Sequence, residues 1–404
     1  MTQSKYELIS VADALRIVLA NAQPLAPVRV LLSAAQGLVL AADAVAQDNM
    51  PPFASAGVDG FALRVADGRG NRTYRGEQMA GAVTGLTVGA GDAIRITTGA
   101  PVPPGADAIV MVEVAEERNG EVVLHHLPSI GDGIRPIGQD IRAGEVVLRA
   151  GTPLGPAEIG LLATIGKAEV MAHPRPRVAV FSTGDELIEV SAPLAPGKIR
   201  DSNRYALVAA VRNAGAEPVS LGIARDNPSD VEAKLGEALA QADAVISSGG
   251  VSMGKLDLVK PSLERRGVVH FGRVTMKPGK PITFVTVGAK PVFALPGFPV
   301  SSLVSFELFV RPALLRMAGH ASVERPRIML TLAHDVEHDA ARTEFQRAIA
   351  TLHDGQVTAT TTGHQGSGRL LSLVGANVLL ILPIGRGDFA KGETVEALVV
   401  GEIR

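Results

Sequence analysis

Four short stretches of this sequence carry the side chains that could do chemistry, and each stands directly behind an apolar run. RVAVF leads into Ser182-Thr183-Gly184-Asp185-Glu186, and PVSLGI leads to Arg225-Asp226-Asn227-Pro228. DAVIS leads into Ser248-Gly249-Gly250-Val251-Ser252-Met253-Gly254, with Asp257 just beyond, and PVFAL leads into Pro296-Gly297-Phe298-Pro299. Hydroxyls and glycine N–H groups at a helix start can cradle phosphate. Glu186, Asp226 and Asp257 are hard oxygen donors of the kind magnesium takes. Lys277 and Lys280, in MKPGKP, add two cations beside that rim. Each loop alone has a plainer reading, because a Ser-Gly-Gly is usually a turn and an acid at a helix start is usually a cap. Four polar loops at one edge, three of them acidic, reverse the balance towards a phosphate-plus-metal site.

That edge exists only if the apolar runs are strands of one sheet. Leu207, Val208 and Val211 follow the first run at helical spacing. Val231, Leu235, Ala238 and Leu239 form a second helical face, and Leu303, Phe306, Val310, Leu314 and Met317 a third. Strands alternating with helices predict an α/β domain, a mostly parallel sheet with helices on both faces. Ligands of such sheets bind beyond the carboxyl ends of the strands, where these loops fall.

The rest of the chain has other textures. Ser10 and Asp13 have nearly the spacing of a capping box ahead of Val11, Leu15, Val18 and Leu19, so a short amphipathic helix opens the chain. Short β-like runs between Gly/Pro turns predict a β-rich insert over residues 46–144. RIMLTLAHDV, EFQRAIATL, QVTATTTG, NVLLILPI and ETVEALVV predict a β-meander or small barrel over 321–404. The α/β domain takes residues 1–25 and 176–320, and a linking, dimerising domain takes 26–45 and 145–175. A chain of 404 residues is long enough for several such cores.

Composition excludes several classes. The net charge of −2 is no footprint for nucleic acid, and three tyrosines with no tryptophan give no stacking platform. The absence of cysteine removes disulfides, thiolate metal sites and a thiol nucleophile. No run reaches the roughly 20 apolar residues of a membrane span, and MTQSKYELIS lacks a signal peptide's apolar core, so a cytoplasmic protein is expected. There is no GxxxxGK[ST], and no GxGxxG follows the first strand. His334 and His338 fall in a predicted strand, where residues four apart are about 13 Å apart. They read as surface histidines rather than zinc ligands.

Taken in order, the motifs resemble the molybdopterin molybdenumtransferases, the family that includes the E domain of gephyrin. They are DGFA at Asp59, ITTGAPVPPGAD at Ile96, IGQDI at Ile137, FSTGDEL at Phe181 and DSNR at Asp201. SSGGVSMGKLD at Ser247, MKPGKP at Met276, LPGFP at Leu295, RTEFQR at Arg342 and TTGHQGS at Thr361 complete the series. The resemblance implies an elongated homodimer of four-domain subunits. It implies a magnesium-dependent reaction of adenylylated molybdopterin with molybdate that releases AMP and forms molybdenum cofactor. It further implies contact with a molybdopterin adenylyltransferase and with the molybdoenzymes that receive the product.

On that resemblance, Asp257, Glu186 and Asp226 would hold magnesium against the pyrophosphate. Ser248, Gly249, Gly250 and Ser252, with Pro296 and Gly297, would cradle phosphate and pterin. Lys277, Lys280, Arg342 and Ser367 would receive molybdate, a small dianion that needs convergent positive charge. Asp59, Thr98 and Asp140 of the insert would close the cleft. The sequence departs from the family pattern at Ser55-Ala56-Gly57-Val58-Asp59, at Phe298, where the family's loop has an amide, and at Arg273, where a lysine is common. Two other readings compete. A non-catalytic cofactor carrier or scaffold would have no need of the acidic residues and lysines, and a nucleotide pyrophosphatase would have no need of the insert and the β tail.

Overall fold

The computed structural model describes residues 6–250 and 258–403; Ser252 and Asp257 lie outside the described residues. The opening helix is Val11–Asn21. Ser10 caps it by accepting the Asp13 N–H at 3.0 Å. Asp13 is shorter than the usual Glu, and it takes the Ser10 hydroxyl proton and pairs with Arg16 instead. The helix buries Ala14 and Val18 against the α/β core formed 160 residues later, among Val178, Leu207 and Val211.

The central sheet has the order Glu217–Ala224, Arg177–Thr183, Ala244–Ser248, Lys290–Leu295, Thr283–Val287, Val268–Phe271. Its first four strands are parallel, and the fifth runs antiparallel to both of its neighbours. The change of direction follows from a two-residue turn between Val287 and Lys290, with Gly288 at φ +59°, a connection that can only make a hairpin. One face is covered by the opening helix, by Ser202–Asn213 and by the helical stretch 299–317. The other is covered by Pro228–Gln241 and Val259–Arg266. The stretch 299–317 changes to a π turn at Phe306–Val310. Pro312 follows directly; it has no N–H for the carbonyl four residues back, a fault that a π turn absorbs.

The insert is a curled six-stranded sheet around Phe61, Leu63, Val110 and Val122. The chain enters and leaves it side by side, since Ala44–Val45 pairs antiparallel with Val146–Leu148. The linking segments form a three-stranded sheet of Val28–Leu31, Glu169–His173 and Val39–Leu40, with helix Pro156–Thr164 packed on it.

At the C-terminal end, Thr343–His353 pairs with both Gln356–Thr361 and Val378–Leu382. Arg327–Leu332 and Thr394–Val399 close the ring into a five-stranded barrel. A sixth, two-residue strand, Met276–Lys277, joins it from the α/β side. The strand predicted over RIMLTLAHDV stops at Leu332, so His334 and His338 lie in the loop beyond it. His338 is not a surface residue as expected, but 8% exposed. A buried carboxylate, Glu344, draws it inward at 3.1 Å. Among the described residues no helix is long and apolar enough to cross a membrane.

Candidate functional site

The carboxyl ends of the four parallel strands open onto one cleft of about 720 Å³. Its floor is Ser248, buried at the end of Ala244–Ser248. Asn203, in the first turn of Ser202–Asn213, donates through Nδ2 to Ser248 Oγ at 2.7 Å and to the Gly297 carbonyl at 2.8 Å. It thereby ties the second glycine-bearing loop to the Pro296-Gly297 loop. Ser302 donates its hydroxyl to the Pro296 carbonyl at 2.5 Å from one helical turn further on.

Gly249 and Gly250 have φ of +91° and +68°, the left-handed region that glycine enters without steric cost. A Cβ at Gly249 would stand 2.5 Å from the Thr183 carbonyl oxygen. One at Gly250 would stand 2.6 Å from Val259 Cγ2 and 2.9 Å from Thr183 Oγ1. That hydroxyl is buried and has no hydrogen-bond partner among the described residues. The two glycines pack directly on Thr183 with no room for a side chain, so their backbone itself lines the cleft wall. Gly249→Ala is expected to lower the free energy of unfolding by about 1–3 kcal/mol through backbone strain. Equilibrium denaturation checks this, and an unchanged stability would show that this loop does not need its left-handed turn.

The carboxylates line the same cleft. Asp226 accepts the Asp185 N–H at 3.3 Å, and Asp185 accepts the Asp226 N–H at 3.2 Å. This reciprocal pair fixes the first loop to the second. Glu186 folds back over Gly184, where an added Cβ would meet its Oε2 at 2.5 Å. Glu186 and Asp226 therefore share one rim of one cleft. Asp257, named with them from the sequence, lies outside the described residues, and among those described no third metal-binding side chain joins the two.

Two residues that the sequence reading quoted only within the DSNR motif line the same cleft. One is Asn203. The other is Asp201, 1% exposed, which caps Ser202–Asn213 and accepts the Ser182 hydroxyl at 2.9 Å and Arg204 Nε at 2.9 Å. An Asp followed by a helical pattern was the available signal, and capping was the role it pointed to.

The cations divide among three settings. Lys277 lines a second cleft of about 660 Å³ at the barrel, and its ammonium lies 3.0 Å from Glu344. Arg342 pairs with Asp339 at 3.4 Å on the surface beside it. Lys280 is half-buried and has no carboxylate partner among the described residues. The RTEFQR motif holds a second arginine, Arg347, which the sequence reading passed over. It is fully buried, and burial pushes its guanidinium down to about 10. Its Nε donates to Ser372 Oγ at 3.1 Å, while Nη1 has no partner among the described residues. The weak contact of Nη2 to the Gly366 carbonyl, 3.5 Å, places it behind the loop that carries Ser367. Ser367 accepts the Val300 N–H at 3.1 Å, so that loop is pinned to the helix start at the main cleft. A period-2 reading of EFQRAIATL could have put Arg347 inside, on the face of Phe345.

In the insert, Asp59 Oδ1 accepts both the Thr98 N–H at 2.6 Å and the Thr98 hydroxyl at 2.8 Å. These two bonds, with a smaller pull from Arg95, hold the Asp59 carboxyl below its usual range. Asp140 pairs with Arg135. None of Asp59, Thr98 and Asp140 lines either cleft of its own chain.

Comparison with known proteins covers nearly the whole chain. Residues 9–166 match the MoeA N-terminal region (domain I and II), 179–316 match a probable molybdopterin binding domain, and 329–400 match the MoeA C-terminal region (domain IV). A molybdopterin molybdenumtransferase 2 of Mycobacterium tuberculosis is 38% identical, over 96% of this chain and 98% of that protein. A molybdopterin molybdenumtransferase of Haemophilus influenzae is 36% identical, over 90% and 91%. The crystal structure of a molybdopterin biosynthesis MoeA protein from Pyrococcus horikosii superposes with a TM-score of 0.85 at 30% identity, over 98% of this chain and all of that one.

Proposed function

The chain belongs to the molybdopterin molybdenumtransferase family, and from that premise we propose that it is a magnesium-dependent enzyme that inserts molybdate into adenylylated molybdopterin, releasing AMP. A transferase of molybdenum cofactor biosynthesis is what its relatives are named. The observation that carries the finer reading is the main cleft, which the backbone of two left-handed glycines and the carboxylates of Glu186 and Asp226 line together. A lining of that make fits phosphate oxygens, and Glu186 and Asp226, together with Asp257, fit a hard cation. Magnesium bound there would offset the charge that develops on the departing phosphate.

In this reading Gly249, Gly250 and Ser248 bind the pyrophosphate, and Asn203 keeps their loop in register with Pro296 and Gly297. Lys280, which has no carboxylate partner among the described residues, receives molybdate with Lys277, Ser367 and Arg342. Asp59, Thr98 and Asp140 would come to the cleft from the second chain of a homodimer. The protein would work in the cytoplasm between the adenylyltransferase that makes its substrate and the molybdoenzymes that take its product. Phe298 is 62% exposed at the cleft mouth, where it would set a phenyl ring against the substrate in place of the family's amide.

Mixing the full-length protein with adenylylated molybdopterin, magnesium and molybdate is expected to give AMP and a cofactor that activates an apo-molybdoenzyme. AMP without activation would favour a pyrophosphatase, and neither product would favour a carrier.

A further inference from the structure

Lys277 has a resident partner. Glu344 is buried, its side chain 2% exposed, and its two oxygens are divided between two donors. Oε1 lies 3.0 Å from Lys277 Nζ, and Oε2 lies 3.1 Å from His338 Nδ1. The other ring nitrogen of His338 lies 3.0 Å from the Pro383 carbonyl, and the ring, with no exposed surface, packs 6.1 Å from Phe389. Both ring nitrogens thus face oxygen atoms, which fixes the ring in place. The backbone repeats the pairing, since the strand Met276–Lys277 joins the barrel in a register that sets Lys277 opposite Glu344. A carboxylate this deep is costly unless it is paired. Here it is paired with Lys277, among the described residues the one cation that reaches the 660 Å³ cleft from the α/β side.

We propose that Glu344 is a positioning residue that acts as a built-in counter-anion: it holds the Lys277 ammonium at the seam and competes with the oxyanion substrate for it. This inference rests on the reading of Lys277 as a molybdate residue. Molybdate would then be held mainly by the other residues read for it and only loosely by Lys277, which leaves it free to pass to the dithiolene.

The test is direct molybdate binding to the full-length protein by equilibrium dialysis, together with the molybdate dependence of insertion. Glu344→Gln keeps an acceptor for Lys277 and removes the competing charge. It is expected to lower the half-saturating molybdate about tenfold, the size of effect that removing one nearby charge has at a protein surface, without raising the maximal rate. A variant that had merely lost structure would not bind its ligand more tightly. Glu344→Asp, which retains the buried charge but draws it back, is expected to give a smaller change of the same sign should the glutamine variant not fold. Lys277→Ala in the Glu344→Gln background is expected to erase the gain. If Lys277→Ala alone weakens molybdate binding while neither Glu344 variant tightens it, the counter-anion is overturned. If Lys277→Ala alone changes nothing, the molybdate reading of Lys277 falls, and this inference falls with it.

Discussion

With Glu186→Gln and Asp226→Asn combined, AMP release from adenylylated molybdopterin is expected to slow by about 100-fold or more, equivalent to about 2.7 kcal/mol of barrier. Both substitutions keep the size of the side chain, so the Asp185–Asp226 clamp retains an acceptor and the fold is expected to hold. Two negative charges leave a cleft that takes an anionic substrate, so the substrate is expected to bind as well as before or better. The magnesium concentration for half-maximal rate is expected to rise in each single variant. Single-turnover AMP release, with substrate binding followed separately, distinguishes this from general damage, which would weaken both. Turnover at the wild-type rate would remove these two carboxylates from the metal site.

The second large effect concerns the insert. Asp59, Thr98 and Asp140 are absent from the lining of either cleft of their own chain, yet Thr98 spends two hydrogen bonds on holding one carboxylate ionised at the surface. An ionised, oriented and exposed carboxylate is suited to a neighbour that arrives from outside. Asp59→Asn keeps Oδ1 for Thr98 and loses only the charge. Homodimers of Asp59→Asn and of the Glu186→Gln/Asp226→Asn chain are each expected to be nearly inactive. Random exchange makes about half the dimers mixed, and a shared-site mixed dimer has one intact site, so activity is expected to return to about a quarter of wild type. No return, with exchange verified by native mass, would mean that each chain builds its own site.

Most of the α/β half of the fold was legible because its strands are apolar runs that end in turns and its longer helices repeat at three and four; Val259–Arg266 was not read, because only Val259 and Leu263 mark its apolar face. The hairpin at Gly288 was less so, because strand direction is decided by the length of the connection rather than by the strands. The chemistry of the cleft was visible in Glu186, Asp226, Ser248 and the two glycines, since helix starts collect these residue types. Asn203 was not, because its function is to bridge two loops that are 45 and 94 residues away. Arg347 and His338 were missed for one physical reason. A polar side chain looks like its surface neighbours until what packs over it is known: for Arg347 the α/β core that covers the face of Phe345 and Leu379, for His338 the buried Glu344, which was read only as part of a motif.

The antiparallel pairing of Ala44–Val45 with Val146–Leu148 has an evolutionary consequence. The two ends of the insert emerge side by side, so a short turn could join them at little closure entropy, and the remaining strands would keep every neighbour they have. The roughly hundred residues beyond that stalk are, in topological terms, a cassette. They could have been acquired, exchanged or lost in a single event without a register shift anywhere in the sheet that holds the cleft, and the α/β unit and this attachment can diversify on separate clocks.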